Sequence, residues 1–355
     1  MSRSRPSLLI IMNQPLSRCL GQVDGYERLV ASGDLEFVET VAMNGFREGA
    51  RDQTSVDRVT TALRSSSATH VMVWSPGLFP NDFRDVDKLD DALAGRPLIY
   101  WEGDAWGHRK PISAQMSWWL KRSEIVFSVS GAPMGDMLRA AGGRNVNLTF
   151  HTYCHIKFGV YESSPSFLSP RHKFSFVGNN TSQVPFISGL PGSAGRWELI
   201  LRMRAQHGSE FQLFGGGWPR KWSQGPIDYD RQIAAMHQSL ITVNWDHYPN
   251  YSDYSSDRLP IALLAGRPLV TTRHPGMAWA PTPELGLYQE DTPKLVSLRA
   301  AEILARGPSA ILALGQEAHS WTAGRLSHRE AARSLVSRAI EGIEPPNMEP
   351  WTSLN

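Results

Sequence analysis

Apolar and polar positions alternate along this chain in two registers. Short unbroken apolar runs are separated by longer stretches with apolar residues three and four apart. Residues 7–12 (SLLIIM), 35–42 (LEFVETVA), 70–74 (HVMVW), 97–101 (PLIYW), 125–129 (IVFSV) and 146–150 have the length and content of buried strands. Between them, 55–66 place Val56, Val59 and Leu63 on one helical face, and 86–94, 114–122 and 133–141 also predict helices, with Gly95 and Gly142–Gly143 as stops. Residues 161–170 (YESSPSFLSP) carry four serines and two prolines without apolar period and predict an interdomain linker. The alternation then resumes. Strands are expected at 173–177, 211–214, 240–245 (LITVNW) and 268–272 (PLVTT), and helices at 196–206, 229–239, 258–265 and 294–306. From 316 onward, through 325–343, a long helical tail is expected, with Ala331, Leu335 and Ile340 on one face.

Strands alternating with helices imply parallel pairing through crossover helices, hence an α/β chain of doubly wound sheets. The break at the linker divides it into residues 1–165, residues 166–325 and a tail, 326–355. Two such sheets place ligands at the carboxyl ends of their strands, so a cleft between the domains is the expected site.

Composition narrows the class. Of 355 residues, 41% are hydrophobic and 20% charged, as in ordinary globular proteins. Two cysteines, Cys19 and Cys154, exclude a disulfide framework and a Cys-rich zinc site. No apolar run approaches the ~20 residues of a membrane span, and no signal-peptide core follows the basic residues 2–6. A cytoplasmic protein is therefore expected, in which the Asn-x-Ser/Thr triplets at Asn147, Asn179, Asn180 and Asn250 stay unmodified. A net charge of +2 is too small to argue for nucleic acid by itself.

Three segments carry candidate chemistry. In 174–181 (FSFVGNNT) a strand runs into Gly178, Asn179 and Asn180, where the backbone can approach a ligand and side-chain amides can donate; a plain strand-to-loop turn would look the same. In 214–218 (FGGGW), Gly215, Gly216 and Gly217 precede Trp218 and leave backbone N–H groups free to face a pyrophosphate, although neither the dinucleotide nor the P-loop spacing is present. In 252–266 (SDYSSDRLPIALLAG), Ser255 and Ser256 lead a helix with Pro260 in its first turn and Gly266 at its end. Its N-terminus and Arg258 suit a phosphate, with Asn244 at the end of the preceding strand.

In this order the three segments resemble the C-terminal half of the CgeB-like (spore-maturation type) glycosyltransferases, group-one relatives with the GT-B fold. The matching residues are Gly178, Asn179, Arg196, Gly215, Gly216, Ser256, Arg258 and Gly266, and the likeness spans residues 174–276, more faintly 68–158. It implies two Rossmann-like domains facing across a cleft, with an N-terminal acceptor domain, a C-terminal nucleotide-sugar domain and a tail packing back on the former. One position departs from the family pattern: Ile261 stands where relatives carry a ribose-binding Glu. Asp253 or Asp257 would then take over that contact, or the nucleoside would be held differently.

In the first domain, residues 100–108 (YWEGDAWGH) bring together Glu102, Asp104, Trp106 and His108 after a strand. The resemblance sets this loop facing the donor, with Asp104 or His108 deprotonating an acceptor hydroxyl and Glu102, Trp106 and Gln14 lining the acceptor pocket. A polar loop with a half-buried Trp would read the same way. Residues 21–26 (GQVDGY) are expected to form a structural turn after the first strand, the alternative implied by the resemblance being a loop that borders the acceptor pocket. His151 and His155 in HTYCH have an i, i+4 spacing but lack the helix a zinc site would need, so no metal is expected. His247 lies in an aromatic stretch that could line a ligand or simply pack.

The expected function is glycosyl transfer from a nucleotide-sugar to a hydroxyl on a small molecule or a modified DNA base, without a cofactor. The resemblance implies retention of configuration and no metal. An NDP-sugar epimerase, or an inactive binding protein in view of Ile261, are the competing readings.

Overall fold

The computed structural model describes residues 5–43, 55–76, 86–107, 111–163, 170–181, 189–342 and 350–351. The chain divides into two compact units, Met1–Phe150 with His328–Asn355, and His151–Ser327.

The first unit is built on β1 (Leu8–Met12), α1 (Leu20–Ser32), β2 (Val38–Ala42), α2 (Ser55–Ser65), β3 (His70–Trp74), α3 (Asp87–Leu93), β4 (Leu98–Glu102), α4 (Ala114–Arg122), β5 (Ile125–Ser128), α5 (Met134–Ala140) and β6 (Val146–Leu148). Its sheet is parallel, in the order β2-β1-β3-β4-β5-β6. Every residue of β1 is buried, as a central strand covered by helices on both faces requires. The order reverses between β1 and β3, which makes that gap the switch point where ligands bind in open sheets.

The second unit contains α6 (His155–Ser163), β7 (His172–Val177), α7 (Ser193–His207), β8 (Phe211–Phe214), α8 (Gln232–His237), β9 (Ser239–Val243), α9 (Arg258–Leu264), β10 (Leu269–Thr272), β11 (Leu287–Glu290), α10 (Pro293–Leu304) and α11 (Pro308–Thr322). Its five strands are parallel in the order β11-β10-β9-β7-β8, so its switch point lies between β7 and β9. Phe174, Phe176, Leu199, Met203, Ile241 and Val243 form the centre of its core.

Four expectations are corrected. Residues 21–26 form no turn: they lie inside α1, where Gly25 lets α12 (His328–Val336) approach so closely that a Cβ would lie 2.8 Å from the His328 carbonyl oxygen. The stretch read as a linker begins inside α6, and residues 164–169 lie outside the described residues. The units part after Phe150, not near 165, and α6 belongs with the second. The tail is two helices, α11 and α12, interrupted between Thr322 and His328. α12 rejoins the first unit, where Ala332, Leu335 and Val336 pack with Val23, Tyr26 and Leu29 of α1.

Candidate functional site

In the second unit the loops after β7 and β8 are knitted to each other. The Gly178 N–H donates to the Phe214 carbonyl at 2.9 Å, the Asn180 N–H to the Gly216 carbonyl at 2.9 Å, and the Asn180 amide to the Gly217 carbonyl at 3.0 Å. The Trp218 indole donates to the Gly178 carbonyl at 2.7 Å and stacks on Trp197. The glycines of FGGGW therefore serve close backbone approach. Their N–H groups are largely committed: Gly215 donates to the Gly225 carbonyl at 2.8 Å and Gly216 to Asn179 Oδ1 at 2.8 Å. This corrects the reading of the loop as an open pyrophosphate cradle.

Two arginines converge at the end of β7. Arg196, in the first turn of α7, is 2% exposed. It donates from Nε to the Trp245 carbonyl at 2.8 Å, and from Nη1 to the Asn179 carbonyl at 3.0 Å and to His247 Nε2 at 2.6 Å. Burial, and then the charge of Arg258, lower its pKa to about 9. Arg258, the first residue of α9, donates from Nε to the Val177 carbonyl, and its Nη1 lies 3.9 Å from Asp257. Because an arginine only donates, His247 Nε2 must accept, which puts the ring proton of a neutral His247 on Nδ1. Burial and both guanidiniums push the His247 pKa down to about 2, so it stays neutral.

Beneath them lies Asp246, 3% exposed, whose N–H donates to Thr272 Oγ1 at 2.8 Å and whose Oδ2 is 3.2 Å from His274 Nε2. Burial works against its ionisation. The hydrogen bond and charge of His274, the charge of Arg258 and the Asn244 side chain outweigh that and hold the carboxyl well below the usual range. Asn244 is buried, donates to Thr271 Oγ1 at 3.1 Å, and leaves its own Oδ1 without a hydrogen-bond partner among the described residues. Asn244, Asp246, Ser255, Ser256, Thr271 and His274, together with the apolar Leu259, Leu269 and Met277, line a small recess at α9.

The two serines expected to lead α9 stand just before its N-cap. Asp257, not a serine, occupies the N-cap position, and its side chain makes no capping bond; Ser255 and Ser256 are buried in the recess wall. Asp253 has φ +55 and its N–H donates to the Pro275 carbonyl at 2.7 Å. Desolvation raises its pKa, with Ser252 opposing. Ile261 is fully buried in α9.

In the first unit, Asn13 beyond β1 donates to the Ser75 carbonyl beyond β3 at 3.3 Å, across the switch point, with Gln14 half-buried beside it. Glu102 is fully buried: the Tyr100 hydroxyl donates to its Oε2 at 2.9 Å and the Asp104 N–H to its Oε1 at 3.1 Å. Burial, and then the charge of Asp104, raise its pKa to about 7 against those hydrogen bonds. Trp106 is also buried, so Glu102 and Trp106 support the loop rather than line its surface; Asp104 is half-buried. His108 lies outside the described residues. Among the described residues no group of three or more His, Cys, Asp or Glu side chains could hold a metal, and no helix is long and apolar enough to cross a membrane.

The residues that sequence reading missed are Asp246 and His274. Each follows a strand by a few positions, in NWDH and TTRH, where a polar residue after an apolar run was the available signal.

These two parallel sheets with alternating helices are the Rossmann-like domains of a GT-B fold. Residues 196–336, which include Arg196, Asp246, Arg258 and His274, match the family described as glycosyl transferase-like. No curated protein matches the chain in sequence. Among solved structures it is similar to HepE of Anabaena in complex with UDP and glucose, with TM-score 0.59 and 12% identity over 96% of this chain and 100% of that one. The β-glucosyltransferase of phage T4 in complex with its UDP-glucose substrate matches with TM-score 0.55 and 12% identity, over 94% and 99%. A putative UDP-N-acetylglucosamine 2-epimerase from Listeria monocytogenes matches with TM-score 0.54 and 13% identity, over 97% and 99%.

Proposed function

We propose that this protein is a cytoplasmic glycosyltransferase of the group-one, CgeB-like type, which moves a hexosyl group from a nucleotide-sugar to a hydroxyl. The observation that carries the proposal is the pair Arg196 and Arg258 at the β7/β9 switch point, inside the stretch that matches the glycosyl transferase-like family. As the glycosyl C1–O bond breaks, negative charge grows on the departing diphosphate. Fixed positive groups in a desolvated setting stabilise that charge where it develops. With two guanidiniums in place the reaction needs no metal, and no cofactor is proposed. Residues 178–180, Ser255, Ser256 and Asp253 would complete the donor site, and the reaction would retain configuration.

The first unit would take the acceptor. Asp104, on the loop braced by Glu102, would receive the acceptor hydroxyl proton as the new C1–O bond forms. A small-molecule hydroxyl is favoured over a DNA base because the net charge is only +2.

A thermal-shift panel of UDP-, GDP-, dTDP- and ADP-glucose tests the donor site, with UDP-glucose first in view of the UDP complexes of HepE and the T4 enzyme. No shift with any of them overturns the proposal. The likeness to a putative 2-epimerase supports a second reading, an NDP-sugar epimerase. Conversion of UDP-N-acetylglucosamine with no acceptor present would favour it, and binding without any turnover would mean an inactive sugar-nucleotide receptor.

A further inference from the structure

His274 follows β10 with its side chain 2% exposed. Its Nδ1 is 3.1 Å from the Tyr251 carbonyl oxygen and its Nε2 is 3.2 Å from Asp246 Oδ2. A carbonyl and an ionised carboxylate both only accept. A neutral imidazole has a single N–H and would turn a lone pair toward one of these oxygens. Two N–H groups satisfy both, and the charge of Arg258 favours the ionised carboxylate that this requires.

Three ties then bracket residues 246–253 to the end of β10: Asp246 N–H to Thr272 Oγ1, the His274 ring to Tyr251 and Asp246, and Asp253 N–H to the Pro275 carbonyl. Only the middle one can be released by losing a proton.

We infer that His274 is a protonated strut, a positioning residue whose two N–H groups hold residues 246–253, and with them the approach to Arg258, in place for an anionic ligand. Naming that ligand a nucleoside diphosphate sugar rests on the proposed function; the charge of the ring does not. The groups around it agree. Asp246 pairs with it, and the Tyr254 ring stands edge-on at 5.3 Å. Arg258 and Arg196 act on it through Asp246, while neighbouring His247 is neutral. Asp253 sits on the bracketed segment, and Asp257 lies beside Arg258. On the β11 side, Gln289 Oε1 accepts the His274 backbone N–H, and Glu290 and Asp291 are engaged by Arg299 and Arg273. Buried Arg196 and His274, with partly exposed Arg258, set three positive groups around a single buried carboxylate, Asp246, and a diphosphate would add the further negative charge. As pH rises and the ring loses its proton, one tie opens and ligand affinity falls.

The test begins without ligand. In the full chain with ¹⁵N-labelled histidine, the ring signal lost in His274→Gln should show both nitrogens protonated at about pH 6.5. A neutral tautomer there overturns the inference. Asp246→Asn, which removes the anion but keeps the ring, should move that ring's titration to lower pH; an unchanged titration also overturns it. This variant marks the signal if His274→Gln fails to fold.

Calorimetry with UDP-glucose between about pH 6 and 8.5 then reads the positioning role. Wild-type affinity should weaken toward alkaline pH, and His274→Gln should bind about tenfold more weakly with little pH dependence. A variant that binds as wild type at every pH overturns the positioning role. If the wild type binds no nucleotide-sugar, the donor reading fails, and the ring signal alone decides the strut.

Discussion

Gly215 lies against Gly178 so closely that a Cβ on Gly215 would fall 2.2 Å from the Gly178 carbonyl oxygen, and its φ is +131. That contact seats the β8 loop on the β7 loop, the platform under Arg258 and Arg196. Gly215→Ala is expected to destabilise the protein by about 3 kcal/mol or more, because backbone must move and the conformation is strained. At Gly216 the nearest atom to such a Cβ is 3.6 Å away, so Gly216→Ala should stay within about 1 kcal/mol. Denaturant unfolding of the two variants measures the difference, and equal losses would contradict the packing account.

Arg258→Ala should remove the thermal response to a nucleotide-sugar. For wild type at a ligand concentration near 100 Kd, binding stabilises by about 2.7 kcal/mol. The mutation itself deletes one hydrogen bond to the Val177 carbonyl from a partly exposed side chain and should cost only about 1 kcal/mol of stability. A mutant that folds and still responds fully places the diphosphate elsewhere.

Asp104→Asn separates binding from transfer. The donor-induced thermal shift should be retained while kcat falls by about 10²–10⁴, the usual contribution of a positioned base. A parallel loss of donor binding would argue against this division of labour between the units.

Glu102 gives a pH dependence with a defined sign. Its carboxyl holds a proton up to about pH 7 in the fold, against 4.5 when unperturbed. Between those values the folded state binds more protons, so stability is greatest below about 4.5 and falls as pH rises through about 7, by about 3 kcal/mol at most. Glu102→Gln should remove this component, read as a flatter melting temperature from about pH 5 to 8.

Ile261→Glu introduces the carboxylate that the CgeB-like resemblance leads one to expect here, but at a fully buried position in α9. It should cost about 3 kcal/mol or more by burying an unpaired carboxyl and should bring no gain in donor affinity. Improved affinity for UDP-glucose in a stable variant would show that this turn of α9 faces the ligand.

The strands were legible because buried parallel strands are written as unbroken apolar runs. Residues 70–74, 114–122 and 211–214 fall where pattern and capping put them. α1 was missed because Gly21 and Gly25 lower helix propensity, and only the approach of α12 to Gly25 shows why a glycine stands there. α6 was hidden by the serines and prolines that follow it. The arginines were found from their place in a motif. Asp246 and His274 were not, since each is a single polar residue 28 positions from the other and their pairing exists only across β9 and β10.

By itself the sequence determined the alternation of strand and helix, hence two parallel sheets, and put glycines and arginines after the strands whose ends meet at a switch point. Periodicity and local sterics act over a few residues, and so can be read along a line. The tertiary structure alone decided that the Gly215 and Gly216 amides are taken up by Gly225 and Asn179, that Glu102 is buried under its own loop, and that His274 meets a carbonyl and a carboxylate at once. Those outcomes depend on which groups lose water together, and desolvation is a property of three-dimensional neighbours.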